Sequence, residues 1–381
     1  MNYNTMTLQL TDPLSFWRHF DGRERVFWYD TQKQCLIIGA DRRAVLQTEA
    51  DSKAYPYIFY GHTFFDTARG DLWRDMGNEM IAFSHYYIAD ADGERYMYAD
   101  VPETIDDDRT ILRTHHYEER TDDYEAWQRL FTAITSAIQD GRITKAVASR
   151  EVHLVGDDDF DECSILRRLV SNNPGCFIFG YHKEGRTFLG ASPEILVQKE
   201  GSCITSYALA GTIGKTAENR ETQGQRLLHD DKNVREHGIV VRMITESMKR
   251  LASSVTAGPM ELMELKNLFH LRTLVTAEDN EHSLLDWSGV LHPTPAMGGQ
   301  PRDVSLKLLK AYEGHERGLY ASPLGMWDSK GDGVLAVGIR SALVKGKHMY
   351  AYAGCGIVDG SECDEEYTET KTKLRTIVEA L

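Results

Sequence analysis

Short apolar runs separated by charged or glycine-bearing turns fill most of this chain, and a few longer stretches space their apolar residues as a helix does. Up to about residue 117, runs such as Cys35-Leu36-Ile37-Ile38 and Tyr57-Ile58-Phe59-Tyr60 read as strands and their connections. After an acidic loop at residues 103–109, Thr121-Asp122-Asp123 predicts the cap of a helix carrying Trp127, Leu130, Phe131, Ile134 and Ile138, which Asp140-Gly141 ends. Strands are expected at residues 143–154, 176–181, 187–189, 195–198 and 203–209. Residues 230–251 predict a long helix with Val234, Val241, Ile244, Met248 and Leu251 inside, and 303–312 a shorter one. Strands at 333–344 and 348–352 lead to a last helix at 361–381, its first turn rich in Glu and Asp as the helix dipole prefers. Many strands, interspersed helices and no regular βαβ alternation predict an α+β fold. No repeat and no Pro/Gly/Ser-rich linker divides the chain, so one domain is expected over residues 1–381. Within it, residues 1–120 carry no recognisable chemistry and 121–381 carry the motifs.

Composition narrows the partners. The 381 residues, 41% hydrophobic and 27% charged, suffice for a sizeable core. A formal net charge of -15, from 58 acidic against 43 basic residues, argues against nucleic acid and anionic membrane surfaces, both of which want clustered Lys and Arg. An anionic substrate would need a local arrangement of Arg, Lys, backbone N–H or metal. Residues 1–12 carry neither a positive cluster nor a long apolar run, so no signal peptide or membrane anchor is expected and the cytoplasm is the default. Cysteines 35, 163, 176, 203, 355 and 363 form no CxxC pair; free thiols are expected, and structural zinc is not.

The segment Leu291-His292-Pro293-Thr294-Pro295-Ala296-Met297-Gly298-Gly299-Gln300-Pro301 is too dense in Pro, Gly and His for an ordinary helix or strand, and predicts a shaped loop. Gly190-Ala191-Ser192-Pro193-Glu194 precedes it, and Arg317-Gly318-Leu319-Tyr320-Ala321-Ser322-Pro323-Leu324-Gly325 follows. Each is a weak pattern alone. Their order and spacing across residues 121–381 resemble the chorismate-utilising enzyme family (anthranilate synthase component I-like), most of all its isochorismate synthases. The resemblance implies a large β-sandwich core flanked by helices, with the site between the layers. It also implies chorismate as substrate, Mg²⁺ as cofactor and an isomerase activity feeding menaquinone or catecholate siderophore synthesis. No glutamine amidotransferase subunit is expected, and a monomer or weak homodimer is.

Alternation in Ile143-Thr144-Lys145-Ala146-Val147 puts Lys145 on the face of Ile143 and Val147, where desolvation would favour a neutral, basic amine. From the segment alone, a stem that snorkels to solvent is the commoner outcome. The resemblance implies instead that Lys145 is the base that activates water, a position where ammonia-using relatives typically carry glutamine. Glu194 follows Ser192-Pro193 at a turn, and alone reads as solvated. By resemblance it is the general acid that protonates the departing hydroxyl. Glu236 lies on the long helix, while Glu366, Glu369 and Lys373 share a face of the last helix. An exposed i,i+4 pair is the plain reading of Glu369 and Lys373. The resemblance implies Mg²⁺ ligands at Glu236 and Glu369, with Glu366 beside them. Asn233 stands where an acidic residue often precedes the first ligand by three positions. Tyr320 and Arg340 resemble a carboxylate grip, to which Gly354 and Gly356 would add backbone N–H groups and Lys373 a positive charge. Thr212 and His270 resemble further substrate contacts; His270 equally suits a hydrogen-bonded core position.

Gly211-Thr212-Ile213-Gly214-Lys215-Thr216 lacks the leading glycine of a phosphate loop, Leu209 standing there, and Cys355 has no assignable histidine partner. The nearest rival reading is a salicylate synthase, which would go on to eliminate pyruvate. Behind it come an anthranilate or aminodeoxychorismate synthase and a non-catalytic chorismate-binding relative.

Overall fold

The computed structural model describes residues 3–65, 70–215 and 220–381. Its 20 strands join in one sheet, whose order follows from the antiparallel pairings. Lys145–Gly156 lies beside His348–Val358, followed by Ser341–Lys345, Arg186–Ser192, Phe177–Lys183, Arg25–Asp30, Cys35–Leu46 and Glu79–Asp90. There the sheet divides. One edge of Glu79–Asp90 runs along Cys35–Leu46, and the other is shared between Tyr57–Gly61 and Gly93–Tyr98. From Tyr57–Gly61 a second layer continues through Pro323–Asp328, Gly333–Val337, Ile195–Glu200, Cys203–Gly214 and Leu268–Glu278.

Period-two alternation packs this sheet on itself. In Arg25–Asp30, Val26 and Trp28 join a buried cluster with Phe59, Phe188, Leu324 and Leu335 of both layers. The intervening Phe27 faces the other way, toward Phe16, Leu166 and Leu374 of the helices Leu14–His19, Glu162–Asn172 and Cys363–Val378. The result is a β-sandwich with helices outside it. Truncating one of the buried rings, as in Phe188→Ala, should cost about 3–5 kcal/mol. Strands from the first hundred residues sit inside both layers, since Arg25–Asp30 pairs with Phe177–Lys183 and Tyr57–Gly61 with Pro323–Asp328. Among the described residues no helix is long and apolar enough to cross a membrane, and all six cysteines are free.

The α+β architecture agrees with the expected one, with several local corrections. The long helix is Asp231–Met248, and the helix of residues 303–312 begins at Arg302. Residues 333–344 are not one strand: Gly333–Val337 and Ser341–Lys345 are separate, because the chain turns at Arg340, whose φ is 54°. Asp123 does precede the helix Tyr124–Gln139, but its side chain makes no cap bond. It accepts from Arg150 Nε at 2.7 Å and Nη2 at 2.9 Å instead, and a bidentate charged pair outcompetes a cap. Glu162–Asn172 and Leu284–Leu291 are helices that the apolar pattern does not announce. Gly211 and Gly214 lie in a paired strand, not a phosphate loop, and Thr216 is outside the described residues.

Candidate active site

Lys145 opens the strand Lys145–Gly156, where its backbone pairs with Val358 on one side and Gln300 on the other. Ala146 and Ala148 point outward to the helix Tyr124–Gln139, so Lys145 and Val147 point inward. Ile143, expected on the lysine's face, packs with the outward cluster because the strand begins only at Lys145. Lys145 is completely buried and its Nζ donates to Glu236 Oε1 at 2.8 Å. Gly356 on the neighbouring strand leaves the room: a Cβ there would lie 2.2 Å from Glu236 Oε1 and 2.8 Å from Lys145 Cε.

Glu194 sits at the turn between Arg186–Ser192 and Ile195–Glu200 and is 1% exposed. Its Oε1 has no hydrogen-bond partner. Burial pushes the carboxyl up to about 8, against the opposing pull of Arg340, Lys145 and Lys373. Near neutral pH it is therefore mostly the protonated acid, a proton donor inside the protein.

Arg340 Nη2 meets His270 Nε2 at 2.8 Å. A guanidinium can only donate, so Nε2 accepts and the imidazole is neutral, its proton on Nδ1 at 2.9 Å from Thr212 Oγ1. Burial and the charges of Arg340 and Lys373 hold His270 well below its usual range, in agreement. Tyr320 stacks on Tyr352 with ring centroids 5.3 Å apart. A Cβ at Gly354 would lie 2.9 Å from the Tyr320 hydroxyl and 2.7 Å from Ala148 O, so only glycine fits. Lys373 Nζ donates to Gly354 O at 2.8 Å and pairs with Glu369 Oε1 at 2.6 Å.

Glu194, Thr212, Glu236, His270, Tyr320, Arg340, Gly354, Gly356, Glu369 and Lys373 line one cavity, about 500 Å³ including its mouth, with Ala296 and Met297 of the proline-rich loop in its wall. Matching this, the family model described as chorismate binding enzyme covers residues 102–381. The chain belongs to the chorismate-binding enzyme family. It is 30% identical to the isochorismate synthase MenF of Bacillus subtilis (strain 168), across 98% of this chain and 92% of that protein. It is 32% identical to the isochorismate synthase EntC of Escherichia coli (strain K12) over 62% of each. The fold is similar to that of the menaquinone-specific isochorismate synthase MenF from Escherichia coli, with a TM-score of 0.84 at 20% identity over 99% and 95% of the two chains. Anthranilate synthase component I from Streptococcus pneumoniae TIGR4 shares it at a TM-score of 0.71 and 18% identity, over 99% and 92%.

Two of the expected site residues of this chorismate-binding enzyme stand off the cavity wall. Lys145 lies behind Gly356 and Glu236, and Glu366 pairs with Lys232 Nζ at 2.7 Å. Glu236 and Glu369 both face the cavity, and their carboxylate oxygens are the donors Mg²⁺ prefers. Burial raises Glu369 against the pull of Lys373, and the neighbouring charges of Glu366 and Glu236 add to the rise, a like-charge crowding that a divalent cation would relieve. On that observation the residues fit the ion. As they stand, each of the three carboxylates holds a lysine, and no three metal-ligating side chains are grouped among the described residues. Cys355 also lines the cavity, but burial, Glu366 and Glu369 push its thiol well up, which suits packing and not nucleophilic attack.

Sequence reasoning assigns no role to two positioning groups. Buried Glu313 and Arg317 form an ion pair; Arg317 also donates to Met297 O at 2.8 Å and Val147 O at 2.6 Å, while Glu313 accepts from Ser149 N at 3.0 Å. This network fixes the proline-rich loop to the strand that carries Lys145. Asn233 accepts from Thr212 N at 3.0 Å, which ties the substrate-side strand to the helix bearing Glu236. The residue that looks like a missing acid is a strut.

Proposed function

We propose that this enzyme is an Mg²⁺-dependent isochorismate synthase that converts chorismate to isochorismate for menaquinone or catecholate siderophore synthesis. The observation that carries the reading is Glu194, a completely buried carboxyl pushed up to about 8, with an unpaired oxygen on the wall of the cavity. The names of the full-length and partial relatives support it. Arg340, with Tyr320 beside it, grips one carboxylate of chorismate, and neutral His270 holds the guanidinium in place. Lys145 takes a proton from water, whose oxygen bonds to the ring carbon next to the carboxylate-bearing carbon. Both ring double bonds shift by one position, and the C–O bond to the original hydroxyl breaks as Glu194 gives that oxygen its proton. One water enters and one leaves, so the net change is isomerisation; Glu194 and Lys145 then reset through solvent. Glu236, 2.8 Å from Lys145 Nζ, orients the amine and balances the ammonium formed. Glu236 and Glu369 would hold Mg²⁺, which when bound supplies positive charge against the substrate's ring carboxylate.

Incubating purified protein with chorismate and Mg²⁺ and identifying products by chromatography and mass tests the proposal. Isochorismate should accumulate, with pyruvate release in a lactate dehydrogenase assay far slower than chorismate loss. Stoichiometric pyruvate with salicylate fluorescence would make the enzyme a salicylate synthase, and no turnover would leave a binding protein.

A further inference from the structure

A second cavity, about 1150 Å³ including its mouth, lies on another side of the proline-rich loop. Ala296 and Met297 of that loop wall the active cavity, whereas His292 and Pro293 wall this one. Its remaining lining divides by chemistry. Tyr60, Phe64 and Phe65 supply ring faces, and Arg302 and Lys310 supply positive charge. Lys310 Nζ stands 5.6 Å from the centroid of Phe65, so charge and aromatic surface are adjacent. His62 and His292 meet with ring centroids 5.5 Å apart, and His62 Nδ1 and His292 Nε2 are both buried without a hydrogen-bond partner. His292 is 9% exposed, and burial with the nearby positive charges holds it well below its usual range.

Each feature selects part of a ligand. Ring faces select a flat, apolar body. The Lys310 ammonium beside the Phe65 ring selects an anion attached to a flat body, and a carboxylate suits it. Unpaired buried imidazole nitrogens select a group that can donate or accept according to tautomer, as a hydroxyl can. We propose that this cavity is a second binding site, for a small aromatic carboxylate that carries a hydroxyl group, distinct from the cavity lined by Glu194 and Arg340.

The test titrates the intact protein, without chorismate, with each of the three monohydroxybenzoates by calorimetry, using benzoate and phenol as controls. It does not depend on the reaction assigned above, since no turnover is read. At least one monohydroxybenzoate should saturate one site, and benzoate and phenol should each bind about tenfold more weakly, the loss of one hydrogen bond or one ion pair. His292→Phe should weaken binding similarly. Lys310→Glu, at an exposed helix position where misfolding is not expected, should do so as well. Arg340→Gln should leave the affinity unchanged. Loss of binding in Arg340→Gln with retention in Lys310→Glu would place the ligand in the active cavity and overturn the proposal, as would no saturation by any of the three acids.

Discussion

Replacing Glu194 by Gln separates the two consequences of burying a carboxyl. The side chain keeps its shape but can no longer give up a proton, so turnover should fall by roughly 10²- to 10⁴-fold, the range for a positioned acid. Stability should move the other way. An ordinary glutamate titrates near 4.5 and this one at about 8, so between those values the folded protein holds a proton that the unfolded chain has released. Stability from this group is therefore fully present below about pH 4.5 and is lost as pH rises toward 8. At about 1.4 kcal/mol per pH unit across that window, the loss is on the order of 5 kcal/mol. A glutamine side chain does not ionise, so the Glu194→Gln variant escapes the loss. Its Tm should thus gain on the wild type steadily from pH 5 to 8, and wild-type kcat should decline above about pH 8 as the acid is lost. Scanning calorimetry and initial rates across pH 5 to 9.5 read both. A Tm difference independent of pH, or a wild-type rate that stays level beyond pH 9, would refute the buried-acid assignment.

Lys145→Ala should lower turnover by roughly 10²- to 10⁴-fold with the near-UV circular dichroism unchanged; near-normal rates in the folded variant would remove the proposed base. EDTA should abolish activity and Mg²⁺ restore it, and Glu369→Ala should weaken Mn²⁺ binding followed by electron paramagnetic resonance. Full activity in exhaustively chelated buffer would sink the metal assignment. Arg317→Ala leaves Glu313 buried and uncompensated, so unfolding in urea should report a loss of about 3–5 kcal/mol. A change below about 1 kcal/mol would show that the pair does not hold the loop.

Local chemistry is legible in the sequence where one segment suffices. Ser192-Pro193-Glu194 announces a turn that presents a carboxyl, and the glycines of Ala353-Gly354-Cys355-Gly356 announce close approach. What stays hidden depends on distant partners. Glu313 and Arg317 are spaced as an ordinary solvent-facing helical pair, and nothing nearby in the chain says that Met297 O and Val147 O will sit on the guanidinium. Alternation turns Lys145 toward an apolar face, yet the segment alone favours a stem that reaches solvent; what buries it is a partner 91 residues away on a helix. Sheet order is equally out of reach. Pairing Tyr57–Gly61 with Pro323–Asp328 closes a loop across most of the chain, which period-two alternation cannot encode.

On the proposed reading, the charge arrangement accounts for a metal and an acid proton in one site. Glu236, Glu366 and Glu369 are each matched by a lysine, Lys145, Lys232 and Lys373 respectively. His270 is neutral, Glu194 is mostly protonated, and Arg340 remains as positive charge facing the cavity. A dicarboxylate entering alone would overturn that balance in a medium where unpaired charge is costly. A dicarboxylate entering with one divalent cation adds no net charge, and Arg340 is left to fix the substrate's orientation. If Glu194 were ionised, the same cavity would lose its excess positive charge and the pull on the substrate with it. If Glu194 is the acid proposed, the burial that keeps it protonated serves binding as well as proton transfer, and above about pH 8 both should weaken together.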